Sequence, residues 1–200
     1  MTMLSISFIL FLIMDPIGNV TSYLKLVQDL PPERQRWIVL REMLIALGFM
    51  ILFFFIGEYL LALLQVSPLT VRLSSGAILF LVAIKILFPS KDSLRANLPQ
   101  GEPFITPLAV PLIAGPALLA TIMLFAHGEP NNYAMFGAIL IAWAAAVIVL
   151  ELSPYLQKYV GKNGLLACER LMGMVLVMLA IQRFFDGVQE FILKCHQPLV

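Results

Sequence analysis

The chain has 200 residues, of which 60% are hydrophobic and 12% charged, with a mean hydropathy of +0.94 and a formal net charge of +1. A soluble domain carries roughly a quarter of its residues as charges, so a water-soluble protein is excluded. A near-neutral chain with no interleaving of basic and aromatic residues likewise excludes a nucleic-acid partner.

The N-terminal Met1-Thr2-Met3-Leu4-Ser5 has no basic region ahead of its apolar run and no small-residue cleavage site, which predicts that the first apolar segment stays in the membrane. A hydrocarbon core roughly 30 Å thick takes about 20 apolar residues per helix. Six stretches meet this need: 4–28, 37–64, 69–88, 104–127, 132–157 and 165–193. The longest connection runs from Pro89 to Pro103 and carries Lys91, Asp92, Arg95 and Glu102, too polar and proline-bounded to span. The reading is therefore one transmembrane domain over 1–200, all-α, with a first half of about 1–88, a loop at about 89–103 and a second half of about 104–200. Lys and Arg concentrate in the first, third and fifth connections (Arg34, Arg36, Lys91, Arg95, Lys158, Lys162), against Arg72 in the second and none in the fourth. The basic side is usually cytoplasmic, which predicts that both termini are periplasmic.

The two halves resemble one another. Gly76, Leu79, Ala83, Ile84 and Phe88 align with Gly173, Leu176, Ala180, Ile181 and Phe185, and Ile13, Pro16, Thr21 and Leu24 align with Ile113, Pro116, Thr121 and Leu124. With three spans in each half, the second half must cross in the opposite sense, which predicts inverted-topology repeats of the kind that recur in secondary transporters.

Each half also carries a backbone break at one depth: Asp15-Pro16-Ile17-Gly18-Asn19 in the first span and Pro111 through Pro116 in the fourth. Both breaks lie about eleven residues past their span starts, roughly 16 Å deep at about 1.5 Å per residue, close to the bilayer midplane. Backbone groups freed there survive only inside protein or along a polar cavity. Asp15-Pro16 reads as an N-cap followed by proline at the first helical position, and Gly115-Pro116 has the same form. Each break would start a half-helix whose N–H groups and positive dipole end attract carboxylates; the alternative is a pair of plain proline kinks.

An ionised side chain at this depth costs about 2.5–3.5 kcal/mol, so Asp15 needs a partner or a cavity. It is read as a functional carboxylate, as a cap on the N–H groups of Gly18 or Asn19, or as both. Asn19 either completes a polar pocket or hydrogen-bonds across helices, and Thr21 and Thr121 either serve the site or bond back to backbone. Glu42, Glu58, Glu151, Glu169 and Asp186 are placed near span ends, with Arg41–Glu42 and Glu169–Arg170 as interfacial pairs and Lys85 snorkelling. Cys168, Cys195 and the methionines around Met172 lack ligand spacing, so no metal, cofactor or catalytic group is expected.

These same stretches carry a likeness to a known family. The segments I-M-D-P-I-G-N-V at 13–20, P-L-A-V-P-L-I-A-G-P-A at 107–117 with Ala120-Thr121, and E-R-L-M-G at 169–173 followed by A-I-Q at 180–182 resemble the MarC family of bacterial integral membrane proteins, also called the neutral amino acid transporter family. The likeness covers nearly the whole chain, and Ala117 stands where the family often has glycine. The resemblance implies six spans, a bacterial inner membrane, a distant relation to the LysE-type amino acid exporter superfamily, and a small neutral amino acid as solute, possibly exported. The expected substrate-binding set is Asp15, Pro16, Gly18, Asn19, Gly115, Pro116, Ala117 and Thr121, with the solute carboxylate at the half-helix after Gly115-Pro116 and its ammonium near Asp15 and Asn19. Two readings from other classes stand beside it: a membrane assembly or regulatory protein that moves no solute, and an intramembrane hydrolase built on Ser74-Ser75-Gly76 and His127.

Overall fold

The computed structural model describes residues 2–28, 30–88, 105–106, 108–128 and 132–196; the predicted loop at 89–103 lies outside them. The described residues are almost wholly helical: α1 (Met3–Met14), α2 (Pro16–Val27), α3 (Pro32–Leu63), α4 (Pro68–Leu87), a π turn (Leu108–Ile113), α5 (Pro116–Gly128), α6 (Asn132–Glu151) and α7 (Ser153–His196). Proline at a first helical position costs no hydrogen bond, because that N–H has no partner inside the helix. Pro16, Pro32, Pro68 and Pro116 each start a helix in this way. Ser67 caps α4 through the Thr70 N–H at 3.2 Å, and Thr2 caps α1 through Ser5 at 3.3 Å.

Five segments are long and apolar enough to cross a membrane: Met3–Val27, Glu33–Leu63, Pro68–Leu87, Asn132–Glu151 and Ser153–Leu193. The predicted fourth span, 104–127, is not one such helix; it divides into the π turn and the shorter apolar α5, because Pro111 and Gly115-Pro116 interrupt the ladder. The predicted fifth connection is helical too: α7 begins at Ser153 and bends at Gly161, whose φ of +73° and ψ of 169° are open to glycine and strained for other residues.

The outer surface is apolar, with Phe8, Phe55, Tyr59, Leu81, Met178 and Phe185 exposed, as a lipid-facing surface requires. The interior gathers Leu10, Met14, Val20, Ile38, Met50, Ile113, Leu118, Ile139 and Leu176. The α4–α7 contact is the most extensive in the bundle. Gly76 lets the two backbones close up there: a Cβ would lie 3.0 Å from the Phe184 nitrogen and 3.1 Å from the Ala180 oxygen. The Ser74-Ser75-Gly76 stretch is thus a packing seam, and both serine hydroxyls bond back to their own helix.

Candidate functional site at two paired helix breaks

The first break is built around Asp15. It closes α1 and opens α2 in the left-handed conformation (φ 47°, ψ 53°), and its N–H still bonds to the Leu12 carbonyl at 3.1 Å. Its carboxylate turns onto the new helix and accepts from the Gly18 N–H at 3.1 Å. Glycine at position 18 makes room for this cap: a Cβ there would lie 2.6 Å from the Asp15 carboxylate Oδ1, so a larger residue would displace the carboxylate. Asp15 is 3% exposed, and Pro16 and Gly18 are buried beside it.

Asn19 is fully buried and ties the two halves together. Its side-chain amide donates to the Met14 carbonyl at 3.0 Å, a group orphaned by the first break, and to the Leu112 carbonyl at 3.1 Å in the second break. Both amide hydrogens are thereby committed, so Asn19 acts as a clamp between backbones whose carbonyls would otherwise lie unpaired in a lipid-surrounded interior.

The second break is more open. The π turn holds a cis Val110–Pro111 bond; the Val110 N–H donates back to the Ile105 carbonyl (2.9 Å), the Ala114 N–H donates to the Ala109 carbonyl (2.8 Å), and α5 then starts at Pro116. A cavity of about 290 Å³ opens beside it, lined by Ile13, Lys85, Leu112, Gly115, Pro116 and Ala117 among others. The predicted residues therefore divide. Gly115, Pro116 and Ala117 line the cavity, whereas Asp15, Pro16, Gly18, Asn19 and Thr121 are buried and do not line it. Lys85 brings a cation to the same cavity as the α5 N-terminus.

The matched threonines do more than bond to their own helix. Thr21 donates to Glu169 on α7 at 2.6 Å and lies 3.3 Å from the Gly18 carbonyl, while Thr121 donates to the Ala117 carbonyl at 2.7 Å and accepts from Arg183 on α7 at 2.7 Å. One helix thus presents an acid to the half-helix after one break and a base to the half-helix after the other. Glu169 is engaged by Thr21, a partner that the predicted pairing with Arg170 did not foresee.

Glu42 also corrects a prediction. It is fully buried in the bundle, where snorkelling to water was expected; the predicted partner Arg41 chelates its Oε1 through Nε (3.1 Å) and Nη2 (3.0 Å), and its Oε2 has no hydrogen-bond partner. Arg183, the Thr21 contact of Glu169 and the burial of Glu42 were invisible to sequence reasoning, since each depends on contacts between distant segments. The side chain of His127 lies outside the described residues.

A bundle of long apolar helices around buried, hydrogen-bonded breaks defines a polytopic α-helical integral membrane protein. The comparisons agree with this class. Residues 1–192 match the family described as MarC family integral membrane protein. The chain is 46% identical over 188 residues to the UPF0056 inner membrane protein YhgN of Escherichia coli (strain K12), covering 93% of this chain and 95% of that protein. It is 44% identical to a membrane protein of Buchnera aphidicola subsp. Baizongia pistaciae (strain Bp), covering 94% and 96%, and 30% identical to one of Chlamydia pneumoniae, covering 93% of each. The chain belongs to the MarC family. No solved structure matches it.

Proposed function

We propose that this protein is a secondary transporter of a small carboxylate-bearing solute, a neutral amino acid, across a bacterial inner membrane, and that the paired breaks are its central site. The observation that carries the reading is the Asn19–Leu112 hydrogen bond, which brings two half-helix starts together in the bundle interior beside an open cavity. The solute carboxylate lies against the N–H groups of α5 and the Lys85 ammonium. The solute ammonium is met by the Asp15 carboxylate once the site opens and the cap on Gly18 is exchanged.

The architecture is that of inverted repeats with broken first and fourth spans. Exchanging α1 with the π turn, α2 with α5, α3 with α6 and α4 with α7 turns each principal packing pair into another. It carries α1–α6 into the π turn–α3, α2–α7 into α5–α4, α2–α6 into α5–α3 and α1–α5 into the π turn–α2, and leaves α3–α6 and α4–α7 in place. Such a pattern supports two halves that rock about the clamp, opening the cavity to one side and then the other. The Lys and Arg distribution supports a cytoplasmic location for the first, third and fifth connections of the sequence, which carry Arg34, Arg36, Lys91, Arg95, Lys158 and Lys162, with both termini periplasmic.

The test is thermal stabilisation of detergent-purified protein by a panel of small neutral amino acids and unrelated solutes. At a hundredfold excess over Kd a ligand adds about 2.7 kcal/mol, and at about 2–4 °C per kcal/mol for a chain of this size the unfolding midpoint rises by roughly 5–10 °C. The shift is expected to be lost in Asp15→Asn and Lys85→Gln. Amino acid stabilisation indifferent to both substitutions would sink the site.

A further inference from the structure

A second polar cavity lies away from the paired breaks. It has a volume of about 560 Å³, sits between α2, the start of α3 and the elbow of α7, and is lined by Thr21, Lys25, Gln28, Gln35, Gln157 and Lys162 together with apolar groups. Its size is within the few hundred to a thousand Å³ typical of small-molecule sites. The comparably large cavity between α4 and α7 differs in kind: Phe80, Leu81, Phe184 and Phe185 line it, as suits a groove facing lipid.

The charges of the polar cavity are arranged by sign. Lys25 and Lys162 reach it from opposite walls, one from α2 and the other immediately after the Gly161 bend. At its inner end Thr21 donates to the Glu169 carboxylate at 2.6 Å, so an acid stands one hydrogen bond behind the cavity wall. Gln35 spends both amide hydrogens on the Val27 carbonyl (3.0 Å) and the Leu30 carbonyl (2.8 Å), which leaves an oxygen as the polar atom it can offer. Two cations and an acid-plus-amide acceptor set around one small cavity are complementary to a molecule with one negative and one positive end. The wall that closes the cavity, carrying Pro154, Gln157 and Lys162, is an elbow turning on Gly161, where a side chain would be strained.

We propose that this cavity is an outer binding site for a small zwitterion, with the solute carboxylate at Lys25 and Lys162 and its ammonium at the Thr21 and Gln35 oxygens, in front of the Glu169 carboxylate that Thr21 engages. It is distinct from the cavity at Gly115-Pro116, and it abuts α2 one turn past Gly18, through the Thr21 hydroxyl 3.3 Å from the Gly18 carbonyl. The outer site hands solute toward the first break. The solute's class, though not the site's geometry, rests on the transport reading above.

The experiment is equilibrium binding of radiolabelled alanine, glycine and serine to the detergent-purified full chain, with Lys162→Gln, Lys25→Gln and Glu169→Gln compared with Lys85→Gln. Lys25 and Lys162 are exposed, so their substitutions leave the packing of the fold alone, and an unchanged unfolding midpoint confirms it for Glu169→Gln. Two classes of site are expected in the unmodified protein. The three vestibule substitutions weaken one class about tenfold or more, a loss of about 1.4 kcal/mol, and Lys85→Gln weakens the other. Loss of one class in the vestibule variants while Lys85→Gln has no effect supports the outer site and removes the central one. A single class abolished by Lys85→Gln and untouched by the vestibule variants overturns the outer site and leaves the transport reading standing. Absence of binding by any of the three amino acids overturns both, and cavity lysines that alter only the retention of anionic phospholipid overturn the outer site alone.

Discussion

Replacing Asp15 separates its backbone role from its charge. The residue does three things at once: it adopts φ 47°, caps the Gly18 N–H at 3.1 Å, and holds a carboxylate at 3% exposure. Asp15→Ala removes the cap, about 0.5–2 kcal/mol, and places a Cβ-bearing residue without a compensating local hydrogen bond in the left-handed region, about 1–2 kcal/mol. The sum is about 1.5–4 kcal/mol. Asp15→Gly relieves the backbone and, as a cap replacement, costs only a few tenths of a kcal/mol. Asp15→Asn keeps an acceptor oxygen, tolerates the left-handed conformation and removes a buried charge, so it is at least as stable as the unmodified protein. Thermal unfolding in detergent checks the ranking Asn, Gly, Ala, with alanine lower than asparagine by roughly 3–16 °C at about 2–4 °C per kcal/mol. Equal midpoints for alanine and glycine would refute the claim that backbone geometry and cap together shape this break.

Other perturbations follow the same logic. Asn19→Leu strands the Met14 and Leu112 carbonyls and is expected to cost about 1–3 kcal/mol; Asn19→Asp is expected to be worse, because a carboxylate cannot donate to either, and unfolding in the same detergent ranks the two. Arg41→Met leaves the fully buried Glu42 carboxylate uncompensated and should cost about 3–5 kcal/mol, while the double substitution Arg41→Met with Glu42→Met recovers most of that loss, as a double-mutant cycle would read. Gly76→Leu forces the α4 and α7 backbones apart and is expected to lower stability by about 1–3 kcal/mol; an unaltered unfolding midpoint would show that the seam is not close-packed.

The spans and breaks were legible in the sequence because their physics is local. Apolar length sets the spans, and Asp15-Pro16 and Gly115-Pro116 carry their own cap and first-turn chemistry, which the structure reproduces as helix starts. The division of the fourth predicted span into a π turn and a short helix follows from the same prolines, although the sequence alone did not show that the first half would fall short of an α-helix. Much of the site's wiring was not legible. Asn19 was open between a pocket group and a cross-helix bond, and the cross-helix bond forms only through the approach of Leu112 across the bundle. The Arg41–Glu42 pair was legible as neighbouring opposite charges, but the complete burial of Glu42 depends on the elements packed around α3. Glu169 and Arg183 acquire their partners only when α7 packs against α2 and α5, and the Gly161 bend that shapes the outer cavity is a single glycine in a helical run.

Counterflow of radiolabelled alanine in proteoliposomes, comparing the unmodified protein with Asp15→Asn, tests the central claim most directly. The paired-break site predicts label uptake against preloaded alanine, falling at least about tenfold in Asp15→Asn, equivalent to about 1.4 kcal/mol, while that variant stays folded. Uptake equal in both proteins, or none above empty vesicles in either, would contradict it.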